Sequence, residues 1–157
     1  DDHRHQVFEF DDWPRGKYAA PTMAGTRPGG AVAAAWAVMR FLGRTGYTNI
    51  VRSIMQTRDA LRHGIESMDE LHIVSDPEGP IMTFSAHDID IFAVAQAMTD
   101  KGWFVTRGAQ PPCIHLGMLT AVHVPHTERY LHDLHEAVAE VAAGRKATGS
   151  REVTYGG

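Results

Sequence analysis

Residues 12–30 read DWPRGKYAAPTMAGTRPGG, and this stretch decides how the rest of the chain is interpreted. Its last six residues, GTRPGG at 25–30, place a hydroxyl, a guanidinium and three glycines directly before a predicted helix. Backbone N–H groups at a helix N-terminus, aided by the helix dipole, form a site for anions. The stretch contains neither the Walker pattern nor the GxGxxG dinucleotide fingerprint. Taken alone, a plain turn before a helix explains these six residues equally well.

The composition is that of an ordinary globular chain with one domain. The 157 residues are 43% hydrophobic and 22% charged, which disfavours a disordered or fibrous protein. With 15 basic and 19 acidic residues the net charge is −4, so we expect neither a nucleic-acid nor an anionic-membrane partner. The longest apolar run, Ala31–Met39, has nine residues, whereas a membrane helix needs about 20. We therefore expect no membrane span.

A single cysteine, Cys113, excludes an intrachain disulfide and is typical of a reducing compartment. We therefore expect a cytoplasmic location. The chain begins at Asp1 with neither an initiator methionine nor a signal-peptide pattern, which indicates a processed chain or a fragment.

The order of predicted elements favours an α+β fold. The pattern predicts a short strand at 7–10, helices at 31–43 and 47–67, strands at 71–75 and 81–85, a helix at 90–101, strands at 103–107 and 114–120, and a helix at 126–143. Grouped strands with helices predict a mostly antiparallel sheet with helices packed on one side. The small, polar tail from Gly144 is expected to be mobile.

Four histidines fall within the thirteen residues 123–135, so a metal site has to be considered. They are His123, His126, His132 and His135, and the last two form an i, i+3 pair on one helix face that could share a zinc ion. However, no HExxH pattern occurs and the neighbouring carboxylates are scattered around the helix. A solvated helix face explains these residues better, and we expect no metal.

Cys113 and His115 are two residues apart in a predicted strand and therefore lie on the same face. Side-by-side strand neighbours rarely meet in the geometry that a nucleophile and its base require. We interpret Cys113 as a small buried apolar residue and His115 as a buried strand histidine.

The stretch at 12–30 resembles the D-W-x-G-G-x-Y-x-S-P-T-x-A-G-S-R-P-G-G motif of the sphingosine-1-phosphate lyase family. These lyases are pyridoxal-phosphate (PLP) enzymes of fold type I, in the group II decarboxylase branch. The corresponding element of glutamate decarboxylases is shorter, and this chain departs from the lyase pattern at Arg15 and Ala20. The resemblance covers nearly the whole chain, with further matches at 35–37, 42–47, 88–92, 101–103, 112–115 and 131–134.

The resemblance implies that the chain is the C-terminal portion of such an enzyme. Residues 1–30 would be the tail of the large PLP-binding domain and an inter-subunit segment, and residues 31–157 the C-terminal small domain. None of the lysines (Lys17, Lys101 and Lys146) stands in the family's T-H-K setting, so no catalytic residue is expected in this chain. The complete enzyme would be a homodimer that cleaves a phosphorylated long-chain amine by retro-aldol chemistry to a fatty aldehyde and phosphoethanolamine.

The resemblance also implies roles for four residues near the motif. Thr26 replaces the family's serine, which reaches across the dimer to the PLP phosphate, and Gly25 would let the backbone approach the same phosphate. Tyr18 and Arg27 would lie on the substrate side. Tyr18 could equally be a core or interface residue, and an ion pair at the domain junction is an alternative role for Arg27. A group II amino-acid decarboxylase and a non-catalytic α+β binding module remain as alternative functions.

Overall fold

The structure is a computed structural model that describes residues 8–10, 12, 14–20, 28–117, 119–148 and 153. The chain divides into two compact units, Asp1–Thr45 and Gly46–Gly157. Within the described residues, no helix combines the length and the hydropathy that crossing a bilayer requires.

The first unit begins with a small antiparallel hairpin. Its strands are β1 (Phe8–Phe10) and β2 (Tyr18–Ala20), with Phe8 opposite Ala20 and Phe10 opposite Tyr18. Gly16 has a φ of 103° in the connecting turn, a conformation that glycine adopts without steric cost. The predicted strand at 7–10 is therefore confirmed for the three residues of β1.

The long helix α1 (Gly29–Glu66) is interrupted at Gly43. Gly43 has φ 59° and ψ −176°, a backbone region that is essentially restricted to glycine. The two helices predicted on either side of this glycine are thus present. Residues 29–42 are called the first stretch of α1 below.

The second unit contains a four-stranded antiparallel sheet. Its strands are β3 (Leu71–Ile73), β4 (Met82–Ala86), β5 (Thr106–Ala109) and β6 (Pro112–Leu116), in the order β3-β4-β6-β5. Helix α2 (Ile91–Asp100) packs against β6, and α3 (Thr127–Ala142) packs against α2. A 3-10 helix, Ala121–His126, leads into α3. The predicted α+β fold with a mostly antiparallel sheet is confirmed.

The core of the second unit lies between this sheet and the helices. Its largest fully buried side chains come from both strands and helices: Phe84, Ile65, Met82, Met98, Ile114, Leu134 and Val94. Burying each such side chain contributes about 1.5–3 kcal/mol relative to leaving it in water. The side chain of Asp90 accepts a hydrogen bond from the Phe92 N–H at 3.0 Å and so caps α2.

The strand predicted at 103–107 begins three residues later in the structure, where β5 starts at Thr106. Trp103 instead contacts α3, where its Nε1 donates a hydrogen bond to Asp133 at 2.8 Å. The last predicted strand is also shorter than expected, since β6 runs from Pro112 to Leu116. A tertiary contact to α3 therefore overrides the local strand propensity of Trp103.

The mobility of the tail from Gly144 stays a prediction, and the described residues of the tail make contacts with the second unit. Arg145 forms ion pairs with Glu140 and Asp100. Ala147 and Val153 pack against the core. These described residues therefore lie against the second unit after α3 ends.

Candidate functional site

The predicted cofactor-binding residues Gly25 and Thr26, and the substrate-side residue Arg27, lie outside the residues that the structure describes. The backbone of Tyr18 lies in β2, paired with Phe10. The side chain of Tyr18 is outside the described part of the chain. The roles assigned to these four residues therefore stay predictions.

The described residue next to this motif, Pro28, leads into an open helix start. Pro28, Gly29 and Gly30 are exposed, and a Cβ built on either glycine meets nothing within 4 Å. The first turn of α1 carries no acidic side chain. Because the first N–H groups of a helix lack partners within the helix and form the positive end of its dipole, this start suits an anion.

The lysines do not have the environment of a Schiff-base lysine. Lys101 Nζ lies 2.8 Å from a Glu136 oxygen and 3.5 Å from a Glu140 oxygen. The hydrogen bond to Glu136 raises the pKa of Lys101 above its ordinary value, which favours the non-nucleophilic ammonium form. Lys17 pairs with Glu9, and Lys146 is exposed. A Schiff-base lysine instead needs a pKa lowered by desolvation or by a neighbouring cation.

Cys113 and His115 have different environments although they share one strand. The Cys113 side chain is buried, and burial raises the pKa of its thiol. The Nδ1 of His115 shares a hydrogen bond of 2.9 Å with Thr83 Oγ1 on β4. A buried thiol with a raised pKa is a poor nucleophile, which agrees with its interpretation as an apolar residue.

The structure groups His132 with two carboxylates rather than with His135. Potential ligand atoms of His132, Asp133 and Glu136 lie within 4.8 Å of one another. Both carboxylates already have protein partners, since Asp133 accepts from Trp103 Nε1 at 2.8 Å and Glu136 accepts from Lys101 at 2.8 Å. Both carboxylates therefore have hydrogen-bond donors from the protein, and Lys101 balances the charge of Glu136.

A concave site that the sequence did not reveal lies in the second unit, beside the start of α3. This site, called the α3 cleft below, has a volume of about 450 Å³. It is lined by Leu61, Trp103, Phe104, Thr106, His115, Leu116, Gly117, Leu119, His123, His126, Thr127 and Tyr130. These residues come from four separate segments of the chain, so no local motif predicts the site. Of these lining residues, the sequence pattern indicates His123 and His126 only as potential metal ligands.

Fixed contacts hold the walls of the α3 cleft in place. The rings of Trp103 and Tyr130 meet edge to face, with centroids 5.1 Å apart, an arrangement that aromatic pairs favour. The guanidinium of Arg129 lies 5.6 Å from the centroid of the Trp103 ring. His123 Nδ1 accepts a hydrogen bond from the Thr120 N–H at 2.9 Å. Burial raises the pKa of the Tyr130 hydroxyl, which therefore stays protonated.

Comparisons with known proteins show which sequences and solved structures this chain is similar to. None of the protein-family models matches the chain. The chain is 38% identical over 154 residues to the sphingosine-1-phosphate lyase of Arabidopsis thaliana, covering 98% of this chain and 28% of that protein. The solved sphingosine-1-phosphate lyase of Burkholderia pseudomallei superposes with a TM-score of 0.75 at 32% identity, over 90% of this chain and 32% of that one. A glutamate decarboxylase of Lactobacillus brevis shares the fold, with a TM-score of 0.61 at 16% identity, over 92% of this chain and 35% of that one.

The fold and these neighbours define the class of protein: the chain has the C-terminal domain of the PLP-dependent enzymes of fold type I. Within this class, the chain is homologous to the C-terminal portion of sphingosine-1-phosphate lyases, which confirms the resemblance found in the motif. It spans about a third or less of the length of the relatives it matches.

Proposed function

We propose that this chain forms the C-terminal part of a PLP-dependent carbon–carbon lyase of the sphingosine-1-phosphate lyase type. The complete enzyme would cleave a phosphorylated long-chain amine to a fatty aldehyde and phosphoethanolamine. The observation that carries the proposal is the 38% identity to the Arabidopsis lyase over 98% of this chain. The motif at 12–30 and the structural likeness to a second lyase support it.

In this proposal, residues 1–30 complete the large domain and the subunit interface, and residues 31–157 form the small domain. The hydroxyl of Thr26 and the backbone of Gly25 hold the phosphate of PLP in the neighbouring subunit of a homodimer. The open start of α1 adds the positive end of its dipole to that site. When bound, PLP supplies the electron sink for breaking the carbon–carbon bond, and its lysine comes from a part of the enzyme other than this chain.

The substrate side is assigned to Arg27 and Tyr18. A guanidinium binds phosphate with two parallel hydrogen bonds, which suits Arg27 to the phosphorylated head of the substrate. Tyr18 would contribute the aromatic side chain at the matching position of the motif. The proposed enzyme acts in the cytoplasm.

The role of Thr26 can be tested in the complete enzyme. A charge-assisted hydrogen bond contributes about 1.5–3 kcal/mol, so Thr26→Ala should weaken PLP binding by roughly 10- to 150-fold. Thr26→Ser keeps the hydroxyl and should be nearly neutral, which makes it the matched control. The measurement is a titration with PLP that follows its visible absorbance. Equal binding by both variants would remove Thr26 from the phosphate site.

The location of Thr26 across the dimer needs a mixed dimer. One subunit carries Thr26→Ala together with the catalytic lysine, and its partner carries the native Thr26 but lacks the lysine. The site that keeps its lysine then receives Thr26 from the partner and should bind PLP normally. Weak binding at that site, equal to that of the Thr26→Ala homodimer, would show that Thr26 acts within its own subunit.

The reaction itself distinguishes the lyase from the alternatives. The complete enzyme should release fatty aldehyde and phosphoethanolamine from a phosphorylated long-chain amine. Release of carbon dioxide from an amino acid, without aldehyde, would assign the chain to a decarboxylase instead. Failure of both reactions in a protein that binds PLP normally would contradict the lyase and the decarboxylase together.

A further inference from the structure

The α3 cleft combines an apolar wall with several imidazoles. Its apolar part is formed by Leu61, Leu116, Leu119, Trp103, Phe104 and Tyr130. Among the described lining residues there is no lysine, arginine, aspartate or glutamate. Its volume of about 450 Å³ lies within the range of about 300–1,000 Å³ that is typical of small-molecule sites. A ligand there would be mainly apolar, with a small polar group.

Contacts within the protein hold the aromatic wall in place. Trp103 is fixed by its hydrogen bond to Asp133 and by its edge-to-face contact with Tyr130. A wall that is ordered in advance reduces the entropy cost of binding. Phe104, at the edge of the cleft, is 97% exposed, so its ring has apolar surface to bury against an incoming chain.

The imidazoles define which polar group the cleft suits. His123 Nδ1 accepts the Thr120 N–H, so the neutral ring carries its proton on Nε2 and donates from there. His115 Nδ1 shares a hydrogen bond with Thr83 Oγ1, and its tautomer decides which of the two atoms donates. His126 is exposed at the end of the 3-10 helix and also lines the cleft. The cleft therefore offers the N–H donor of the neutral His123 ring, together with the imidazole of His126, beside an apolar wall.

We propose that the α3 cleft binds an aliphatic carboxylate. The chain lies against the leucines and aromatic rings, and the carboxylate accepts hydrogen bonds from the imidazoles of His123 and His126. A singly charged carboxylate is served by neutral donors, whereas a phosphate dianion favours the arginine or lysine that the described lining lacks. A cation would find no carboxylate partner in that lining. This site does not depend on the proposed lyase activity. None of its lining residues is among those proposed to hold PLP or the phosphorylated substrate.

The chemical class can be tested by calorimetric titration of the 157-residue chain with four probes. Decanoate should bind saturably at one site, because it provides both the chain and the carboxylate. Decanol lacks the carboxylate, acetate lacks the long chain, and decylamine carries a positive charge in place of the negative one. Each of these three probes should bind at least about tenfold more weakly than decanoate. Absence of saturable decanoate binding would overturn the proposal. Decanol binding as tightly as decanoate would also overturn it, because the imidazoles would then play no part.

Matched variants test the location. His123→Leu should weaken decanoate binding about tenfold, since it removes a donor to a charged group. The control is His135→Leu, because His135 is an exposed residue of α3 outside the cleft lining. It should bind decanoate like the parent chain. An equal loss in both histidine variants would contradict the assignment.

Phe104→Ser keeps the test decisive if His123→Leu does not fold. Phe104 is 97% exposed, so its replacement leaves the core intact, and decanoate should bind a few-fold more weakly through lost apolar contact. Unchanged affinity in this variant would overturn the site. Sedimentation adds an independent check: a concentration-dependent dimer that Phe104→Ser dissociates would assign the cleft to a second copy and overturn the carboxylate site.

Discussion

The first stretch of α1 and helix α2 are both rich in apolar residues, but the described chain buries only α2. Seven of the ten residues of α2 are buried. Residues 29–41 of α1 are all exposed, and they include Trp36 and Phe41, the latter 87% exposed. Contiguous exposed apolar residues mark an interaction surface in soluble proteins. An apolar pattern therefore predicts that a helix will be covered, but it does not say whether the covering partner lies in the same chain.

The largest effect that this comparison predicts is for two phenylalanines. Phe84→Ala should lower the free energy of unfolding by about 3–5 kcal/mol, because Phe84 is fully buried between the sheet and the helices. Phe41→Ala, at an 87% exposed position, should change it by no more than about 0.5 kcal/mol. Urea unfolding of both variants measures the two values.

An equally large loss in Phe41→Ala would contradict the comparison. It would mean that the first stretch of α1 is packed in the isolated chain in solution. A loss below about 1 kcal/mol in Phe84→Ala would instead show that the core around β4 is not as the structure describes.

A second, smaller effect concerns the break in α1. Gly43→Ala puts a Cβ on a residue with φ 59° and ψ −176°, and holding a non-glycine residue there costs about 1–3 kcal/mol. The variant should therefore lose stability, or it should gain helical circular dichroism if the break becomes regular helix. Gly30→Ala is the control, because Gly30 lies in the helix with nothing within 4 Å of its Cβ position. It should be neutral or stabilising by up to about 1 kcal/mol. No difference between the two variants would mean that residue 43 is helical in solution.

The sequence predicted elements well where the signals are local. Asp90 caps α2, Gly102 follows its end with a φ of 94°, and Gly43 marks the break in α1. Such signals depend on one or two residues and their neighbours. The prediction failed at Trp103, whose partner Asp133 is 30 residues away in the chain. Local propensity carries no information about a contact of that kind.

The same contrast between local signals and contacts of residues distant in the chain applies to the candidate sites. The motif at 25–30 could be identified from sequence because its residues are consecutive, and the roles of Gly25 and Thr26 stay predictions. The α3 cleft could not be identified, because its lining extends from Leu61 to Tyr130. His123 carried a signal, but as one of several histidines it was considered as a metal ligand. Only the fold shows that it lines the same cleft as Trp103.

The smallest predicted effect concerns a polar contact within the second unit, the hydrogen bond from Trp103 to Asp133. The Trp103 hydrogen bond, together with His132 and Arg129, lowers the pKa of Asp133 below its ordinary value of 3.8. A carboxylate with a lowered pKa in the folded state stabilises the fold above its unfolded pKa, and this contribution is lost as the pH falls through the folded pKa. Asp133→Asn should therefore cost about 1 kcal/mol at pH 7, the difference between a charged and a neutral hydrogen bond.

The pH dependence separates this contribution from a general loss of packing. Between pH 7 and pH 2.5, the parent chain should lose about 1 kcal/mol more stability than Asp133→Asn, because the variant has no carboxylate at this position to protonate. Asp88→Asn, at an exposed position, is the control and should follow the parent chain at every pH. Urea unfolding at a series of pH values provides the measurement. If the difference between the parent chain and Asp133→Asn stayed constant down to pH 2.5, the loss would come from altered packing of Trp103 and not from the charge of Asp133.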